Sequence, residues 1–211
     1  MVSLIYKLKH TVNMAFKFTE EYLKKSLSYE GYIEMTEKLL LEGKTTGQNQ
    51  EQAMVDYMKL NLQRMKRIFK TSEINREVFE YIRNVQHWVV ITEPWCGDAA
   101  NTVPLIAKIA AESGKVRLHL LLRDKNTEVM NEYLTNGAKS IPILIVLDSE
   151  YNELFYWGPR PASIQKMVMD NKNAPGFDIE ILKENVQKWY FEDKTVSAQN
   201  EIIKKLKKAS V

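Results

Sequence analysis

The stretch EPWCGDAANTVP, residues 93–104, contains the only cysteine of this 211-residue chain. The run before it, HWVVIT (residues 87–92), is rich in β-branched residues and typical of a buried strand. The run after it, TVPLIAKIAAESG, has the apolar spacing of a helix and ends at Gly114. The sequence therefore predicts that Cys96 lies where a strand ends and a helix begins.

The alternation of strands and helices continues toward the carboxyl terminus. We predict a strand at 115–122, a helix at 126–134 with Asn126 as its N-cap, two hairpin strands at 141–148 and 153–158, and a closing helix at 161–170. A strand, a helix and a second strand in succession form a parallel pair with a right-handed crossover, and the hairpin adds an antiparallel pair. The fold class is therefore α/β, with a four-stranded mixed sheet flanked by helices.

Helical patterns lie on both sides of this region. In AMVDYMKLNLQRMKRIF (residues 53–69), apolar residues recur at gaps of three and four, and we expect its methionines to pack in the core. A further helix is predicted at 74–84. The basic end EIIKKLKKASV is predicted to be a docked or frayed terminus, with contact to an acidic partner or a membrane surface as the alternative.

These patterns divide the chain into four segments. They are an irregular extension at 1–17, in which Met14 is an alternative start, a helical extension at 18–75, a sheet-containing domain at 76–170, and a C-terminal helical segment at 171–211.

Composition excludes several classes of protein. Apolar residues make up 45% and charged residues 27% of the chain, which is enough for a packed core. The net charge of +3 gives no reason to expect nucleic acid as a partner. The apolar runs are far shorter than the ~20 residues that span a bilayer, and the first residues lack the features of a signal peptide.

The scarcity of cysteine and histidine limits the chemistry further. One cysteine cannot form an internal disulfide, so we expect a reducing compartment, the cytoplasm. His10, His87 and His119 are scattered and do not have the spacing of metal ligands together with Cys96, so no metal site is expected.

The predicted position of Cys96 favours reactivity. A helix N-terminus carries roughly half a positive charge, which favours a thiolate, the nucleophilic form of the thiol. Asp98 stabilises the same helix end, but its negative charge opposes thiolate formation. Trp95 offers a flat apolar surface beside the sulfur.

These residues resemble the active-site strand and helix of thioredoxins, where the family pattern is Trp-Cys-Gly-Pro-Cys. The resemblance extends to Pro104, to the sequence KSIPIL around Pro142, and to the glycine in WGPRP, and it covers about residues 76–170. It implies a thioredoxin-like fold in which Pro142 follows a cis peptide bond and faces Cys96 across a short gap. The flanking helices indicate a larger variant of this superfamily.

Three departures from the family pattern determine the expected chemistry. Ala99 stands where the second cysteine would be, Asp98 replaces the proline between the cysteines, and Val90 replaces a buried acid. The resemblance therefore implies a monothiol mechanism in which Cys96 is the nucleophile. The residues expected to bind substrate around it are Trp95, Gly97, Asp98, Ile141 and Pro142.

The expected substrate is a disulfide-bearing protein or a low-molecular-weight thiol, and an external thiol such as glutathione would resolve the mixed disulfide. No protein-bound cofactor is expected. The alternative is a redox-inactive binding or scaffold protein that uses the groove near Trp95 and Pro142, and the missing second cysteine favours it.

Other residues are further candidates for roles at the site. Glu93 is predicted to be a solvated loop carboxylate, with proton relay as the alternative. We expect His87 and His119 to be packed and hydrogen-bonded. Arg160, together with Trp157, is considered for the edge of a ligand site, and Lys139 for offsetting charge at the sulfur.

Overall fold

A mixed sheet of four strands forms the centre of the computed structural model, which describes residues 16–172 and 174–210. The strands are β1 (Gln86–Thr92), β2 (Val116–Leu122), β3 (Ile143–Leu147) and β4 (Glu153–Trp157), in the spatial order β2-β1-β3-β4. β1 is parallel to β2, whereas β3 is antiparallel to both β1 and β4. The predicted α/β sheet is confirmed, and the extension predicted at 1–17 lies almost entirely outside the described residues.

Helices precede, connect and follow the strands. Before the sheet come α1 (Glu20–Leu23), α2 (Tyr29–Leu41) and α3 (Gln52–Thr71). Within the sheet region lie α4 (Gly97–Ser113), α5 (Thr127–Met130) and α6 (Ala162–Lys172). The chain ends with α7 (Ile179–Asp193) and α8 (Val196–Ala209). Within the described ranges, none of these helices is both long and apolar enough to cross a bilayer.

Each face of the sheet belongs to a different apolar cluster, because successive side chains of a strand point to opposite faces. Trp88 and Val90 of β1 pack on the face covered by α2, α3, α4 and α8. Val89 and Ile91 pack on the other face, together with residues of α1 and α5. Cys96 contacts both clusters, since it lies at the end of the central strand.

The flanking helices contribute to the first of these clusters. Met58 and Met65 of α3 are completely buried, which confirms the predicted core role for two of the three methionines, whereas Met54 is only half-buried. Ile202 and Leu206 of α8 are also buried there, so the basic end of the chain is docked, as favoured from the sequence. The division of the chain at residues 76 and 170 stays a prediction.

Two predicted helices are shorter than expected. Residues 74–84 contain only a 3-10 helix at Arg76–Glu80, and α5 has four residues in place of nine. The chain leaves α5 early because Tyr133 bonds to Glu153 of β4 and residues 135 and 138 form a β-bridge. Asn126 occupies the N-cap position of α5, as predicted, but its side chain makes no capping hydrogen bond and its amide donates to the carbonyl of Leu122 at 2.8 Å.

Candidate functional site

Cys96 lies at the N-cap of α4, immediately after the turn that follows β1. Its backbone nitrogen donates to the carbonyl of Glu93 at 3.0 Å, and its own carbonyl accepts from Ala100 at 3.0 Å. The thiol donates to the carbonyl of Ile141 at 3.4 Å, and the Ile141–Pro142 peptide bond is cis. The fold thus brings the predicted nucleophile next to the predicted proline loop.

The glycine after β4 lets the proline loop sit at this position. Gly158 has a φ of 130°, which favours glycine, and a Cβ atom there would overlap with the carbonyl oxygen of Pro142. Gly158 therefore lets the end of β4 approach the backbone of the proline loop closely.

Burial controls the protonation of the thiol. Although Cys96 as a residue is only half-buried, the atoms packed around its sulfur are the largest influence and the charge of Asp98 the second, and together they raise the pKa of Cys96 to about 12. Backbone N–H groups of Ala99 and Asp98 act in the opposite direction but are weaker. The helix end does favour the thiolate, as expected, but its backbone N–H groups are outweighed by the loss of solvation and by the charge of Asp98.

Asp98 is engaged by the protein itself. Its carboxylate lies 2.6 Å from a guanidinium nitrogen of Arg160 and accepts a hydrogen bond of 3.0 Å from the hydroxyl of Tyr190. All three side chains are mostly buried. Arg160, considered from the sequence for the edge of a ligand site, is thus the counter-ion of the carboxylate next to Cys96.

Helices from both flanks cover the first turn of α4. A Cβ atom on Gly97 would overlap with the hydroxyl of Tyr57 in α3 and would lie 2.9 Å from the side-chain nitrogen of Gln187 in α7. Gln187 also accepts from Asn101 of α4 at 3.0 Å. The sequence indicated that Tyr57 lies on an apolar helix face, but nothing in it showed that α3 and α7 meet at the cysteine.

Glu93 is buried rather than solvated, which corrects the prediction from the sequence. Its side chain is 0% exposed, and burial raises the pKa of its carboxyl group. One oxygen accepts from the backbone nitrogen of Asp124 at 3.0 Å, and the other accepts from the hydroxyl of Thr46. Glu93 therefore ties the loop before α3 to the end of β2.

The histidine pair lies on the sheet and forms the hydrogen bonds expected of packed residues. His87 Nδ1 is 3.1 Å from His119 Nε2, and His119 Nδ1 is 2.9 Å from the hydroxyl oxygen of Ser26. Over residues 16–172 and 174–210, no group of three or more histidine, cysteine or acidic side chains is arranged to hold a metal ion.

Two cavities lie near α4. The larger, of about 710 Å³, is formed by α3, α4, α7 and α8, with Tyr190 in its wall. The smaller, of about 440 Å³, is lined by Trp95, Arg123 and Lys139 among others. Of these two cavities, only the smaller is lined both by the turn before Cys96, through Trp95, and by the loop before Pro142, through Lys139.

A family model described as thioredoxin matches residues 47–174 of the chain. The match includes the cysteine motif and the proline loop, and it begins before α3. Among curated proteins, no significant relative is found.

Two solved structures share the fold. One is a protein of unknown function from Pseudomonas aeruginosa, with 13% identity, a TM-score of 0.53, and coverage of 87% of this chain and 99% of the other. The other is an HIV epitope scaffold, with 13% identity, a TM-score of 0.51, and coverage of 81% and 96%. At this identity the likeness concerns the fold alone, and the coverage shows that the flanking helices are included in it.

Proposed function

The chain belongs to the thioredoxin family, and we propose that it carries out thiol–disulfide exchange through the single sulfur of Cys96. The observation that carries the proposal is the position of this sulfur, at the start of α4 and 3.4 Å from the carbonyl of Ile141 beside a cis proline. A cysteine placed only for packing needs no such loop opposite its thiol. Trp95 precedes the sulfur and the carbonyl of Ile141 faces it beside Pro142, so these three residues would contact the substrate, whereas Gly97, also expected from the sequence, is covered by Tyr57 and Gln187.

The reaction needs no second cysteine. The Cys96 thiolate attacks one sulfur of a disulfide RS–SR, a bond forms between the two sulfurs, and RS⁻ leaves and takes up a proton. An external thiolate R′S⁻ then attacks the bound R sulfur, which forms the new disulfide R′S–SR and releases the Cys96 thiolate. Ala99 supplies no sulfur for an internal reaction, so the external thiol must complete the cycle.

The protonation of Cys96 determines the rate of its attack on the disulfide and the rate of its later release. With a pKa of about 12, little thiolate exists at neutral pH, so attack is slow. The same group is a poor leaving thiolate, so release is slow as well. We therefore propose that the protein holds a small thiol as a long-lived mixed disulfide in the cytoplasm.

The pH dependence of alkylation tests this proposal. The rate of iodoacetamide reaction at Cys96 should rise about tenfold per pH unit from pH 7 to 10, without the plateau that a free thiol shows above ~8.5. Intact-mass spectrometry measures both this rate and the appearance of a glutathione adduct when glutathione disulfide is added. A Cys96→Ser variant is the blank for both measurements.

Absence of any mixed disulfide with glutathione disulfide, even at pH 10, would contradict the proposal. An alkylation plateau near pH 8.5 would contradict only the slow kinetics derived from burial.

A second function, binding without redox chemistry, is favoured by the same raised pKa of Cys96. In that case the groove beside Trp95 and Pro142 would hold an extended peptide. Partner capture that is equal for the native protein and Cys96→Ser, under conditions where no mixed disulfide forms, would favour this function over exchange.

A further inference from the structure

Arg160 brings a positive charge to the first turn of α4, where the thiol lies. It belongs to the segment between β4 and α6, and two residues earlier Gly158 lies so close to the carbonyl oxygen of Pro142 that a Cβ atom would overlap with it. The guanidinium group of Arg160 reaches the carboxylate of Asp98 at 2.6 Å, two residues after Cys96. Because an arginine does not lose its proton in proteins, this charge is permanent.

The guanidinium group of Arg160 is fixed in place by the protein. Only 18% of its side chain is exposed, and a second terminal nitrogen donates to the side-chain oxygen of Gln165 at 3.0 Å. The third nitrogen, Nε, is buried without a hydrogen-bond partner, a condition that only Trp95 Nε1 shares in the described part of the chain. Buried donors are nearly always paired, so this guanidinium group has donor capacity left for negative charge that forms beside it.

Negative charge forms on Cys96 when the mixed disulfide is released. The external thiolate attacks the bound R sulfur, the bond from that sulfur to Cys96 Sγ breaks, and its electron pair stays on Sγ. Burial and the charge of Asp98 raise the pKa of Cys96, whereas the charge of Arg160 lowers it. Arg160 therefore acts on the sulfur in the direction that this release needs.

We propose that the fixed charge of Arg160 stabilises the leaving Cys96 thiolate itself, in addition to neutralising Asp98. This role rests on the proposed exchange at Cys96 and specifies how its thiolate is released. A cation that is already in position before the reaction stabilises developing charge without reorganisation of its surroundings. Asp98 and Gln165 are then positioning residues, since they hold the guanidinium group but supply no positive charge to the sulfur.

Neutral side chains separate the action of Arg160 on the sulfur from its action through Asp98. In Arg160→Gln alone, the carboxylate of Asp98 would be buried without a partner, which destabilises the protein and obscures the effect on Cys96. The background for the test is therefore Asp98→Asn, in which this carboxylate is absent. Any further change in the reaction of Cys96 is then caused by the residue at position 160.

The rate of iodoacetamide alkylation of Cys96 at pH 8, followed by intact-mass spectrometry, measures the effect. Asp98→Asn/Arg160→Gln should react about threefold more slowly than Asp98→Asn, because the thiolate loses a nearby cation. Asp98→Asn/Arg160→Met, a second neutral variant, should be equally slow. Asp98→Asn/Arg160→Lys should keep the rate of Asp98→Asn, because the charge is retained.

The matched control is Asp98→Asn/Lys166→Gln. Lys166 is a cation of α6 whose side chain is 77% exposed, so its removal should leave the alkylation rate unchanged. Far-ultraviolet circular dichroism shows that each variant is folded before the rates are compared. Equal rates in Asp98→Asn and both neutral variants would show that Arg160 acts only through Asp98 and would overturn the proposal. A lysine variant as slow as the neutral ones would overturn it too, since charge would then not be the cause.

Release is measured separately on the preformed mixed disulfide. Each variant is converted to its glutathione adduct with glutathione disulfide at pH 10, and loss of the adduct in 2-mercaptoethanol at pH 8 is followed by mass. Release should be slower from Asp98→Asn/Arg160→Gln than from Asp98→Asn, by about twofold, and equal release would overturn the role in this step. Because alkylation needs no disulfide, the absence of adducts together with charge-dependent alkylation would contradict the exchange and leave the action of Arg160 on the sulfur intact.

Discussion

At the scale of single residues, the chemistry of the Cys96 thiol depends on Asp98, which follows it by two residues. Asp98 raises the pKa of Cys96, and its carboxylate forms an ion pair with Arg160 although only 8% of the residue is exposed. The helix dipole acts on the same sulfur in the opposite direction. The protein therefore places its only cysteine where two electrostatic effects compete and burial decides the outcome.

The Asp98→Asn variant tests this balance. Asparagine keeps the shape and removes the negative charge, while Arg160 remains, so the pKa of Cys96 should fall by roughly one unit. The rate of alkylation at pH 8 should then rise about tenfold. Asp170→Asn, in an exposed ion pair of α6, should leave the rate unchanged. An equal or slower rate in Asp98→Asn would show that its charge does not act on the sulfur.

The sequence predicted the position of these residues better than their surroundings. The run HWVVIT and the motif after it were sufficient to place Cys96 between a strand and a helix, because both patterns are local. The burial of Glu93 was missed, since it depends on Thr46 and on Asp124, which are distant in sequence. For the same reason the raised pKa of the thiol could not be derived from the helix position alone.

At the scale of elements, the contact between α3 and α4 depends on the absence of a side chain at Gly97. Alanine there would push its Cβ atom into the hydroxyl of Tyr57, and we expect a loss of about 1–3 kcal/mol in the free energy of unfolding. Gly31→Ala is the matched control, because its Cβ atom would meet only Ser28 Oγ at 3.5 Å, an ordinary contact. It should be neutral or should stabilise α2 by roughly 0.5–1 kcal/mol.

Urea unfolding followed by circular dichroism measures both glycine variants. If Gly97→Ala proves as stable as the native protein, α3 does not press on the first turn of α4 as described.

The strands β1 and β2 are joined to α1 by histidines that are neutral in the folded protein. Ser26 donates its hydroxyl hydrogen to Leu23, so its oxygen accepts from His119 Nδ1, and His119 Nε2 then accepts from His87. Burial, followed by the repulsion from His87 that arises when both rings are protonated, lowers the pKa of His119 to about 4. Protonation of His119 therefore opposes folding.

This pair predicts a loss of stability in mild acid. An unfolded histidine titrates near 6.5, so the unfolded chain binds more protons than the folded one between pH 6.5 and about 4. The contribution is complete above pH 6.5 and is lost as the pH falls to about 4, by about 2 kcal/mol for a partly exposed group. Urea unfolding of the native protein and of His119→Gln at pH 7.5 and 4.5 measures it. A loss of equal size in His119→Gln would assign the effect to other groups.

At the scale of the whole molecule, the terminal helices and the sheet share one core. α8 places Ala198, Ile202 and Leu206 in the same cluster as Trp88 of the central strand, while α7 supplies Tyr190 to Asp98 beside the thiol. The sequence predicted a helical segment at 171–211, but not which surface its helices cover, because that depends on contacts between distant segments. The C-terminal helices are therefore part of the environment of Cys96.

A pair of isoleucines tests whether the molecule unfolds as one unit. Ile202 of α8 is 0% exposed, so Ile202→Ala should cost about 2–5 kcal/mol, whereas Ile181 of α7 is 58% exposed and Ile181→Ala should cost less than about 1 kcal/mol. If the core is shared, Ile202→Ala lowers the midpoint of a single transition seen alike by far-ultraviolet circular dichroism and by tryptophan fluorescence, since Trp88 is buried in the sheet. Two separate transitions, with the fluorescence change unaffected by Ile202→Ala, would instead show that α8 melts independently of the sheet.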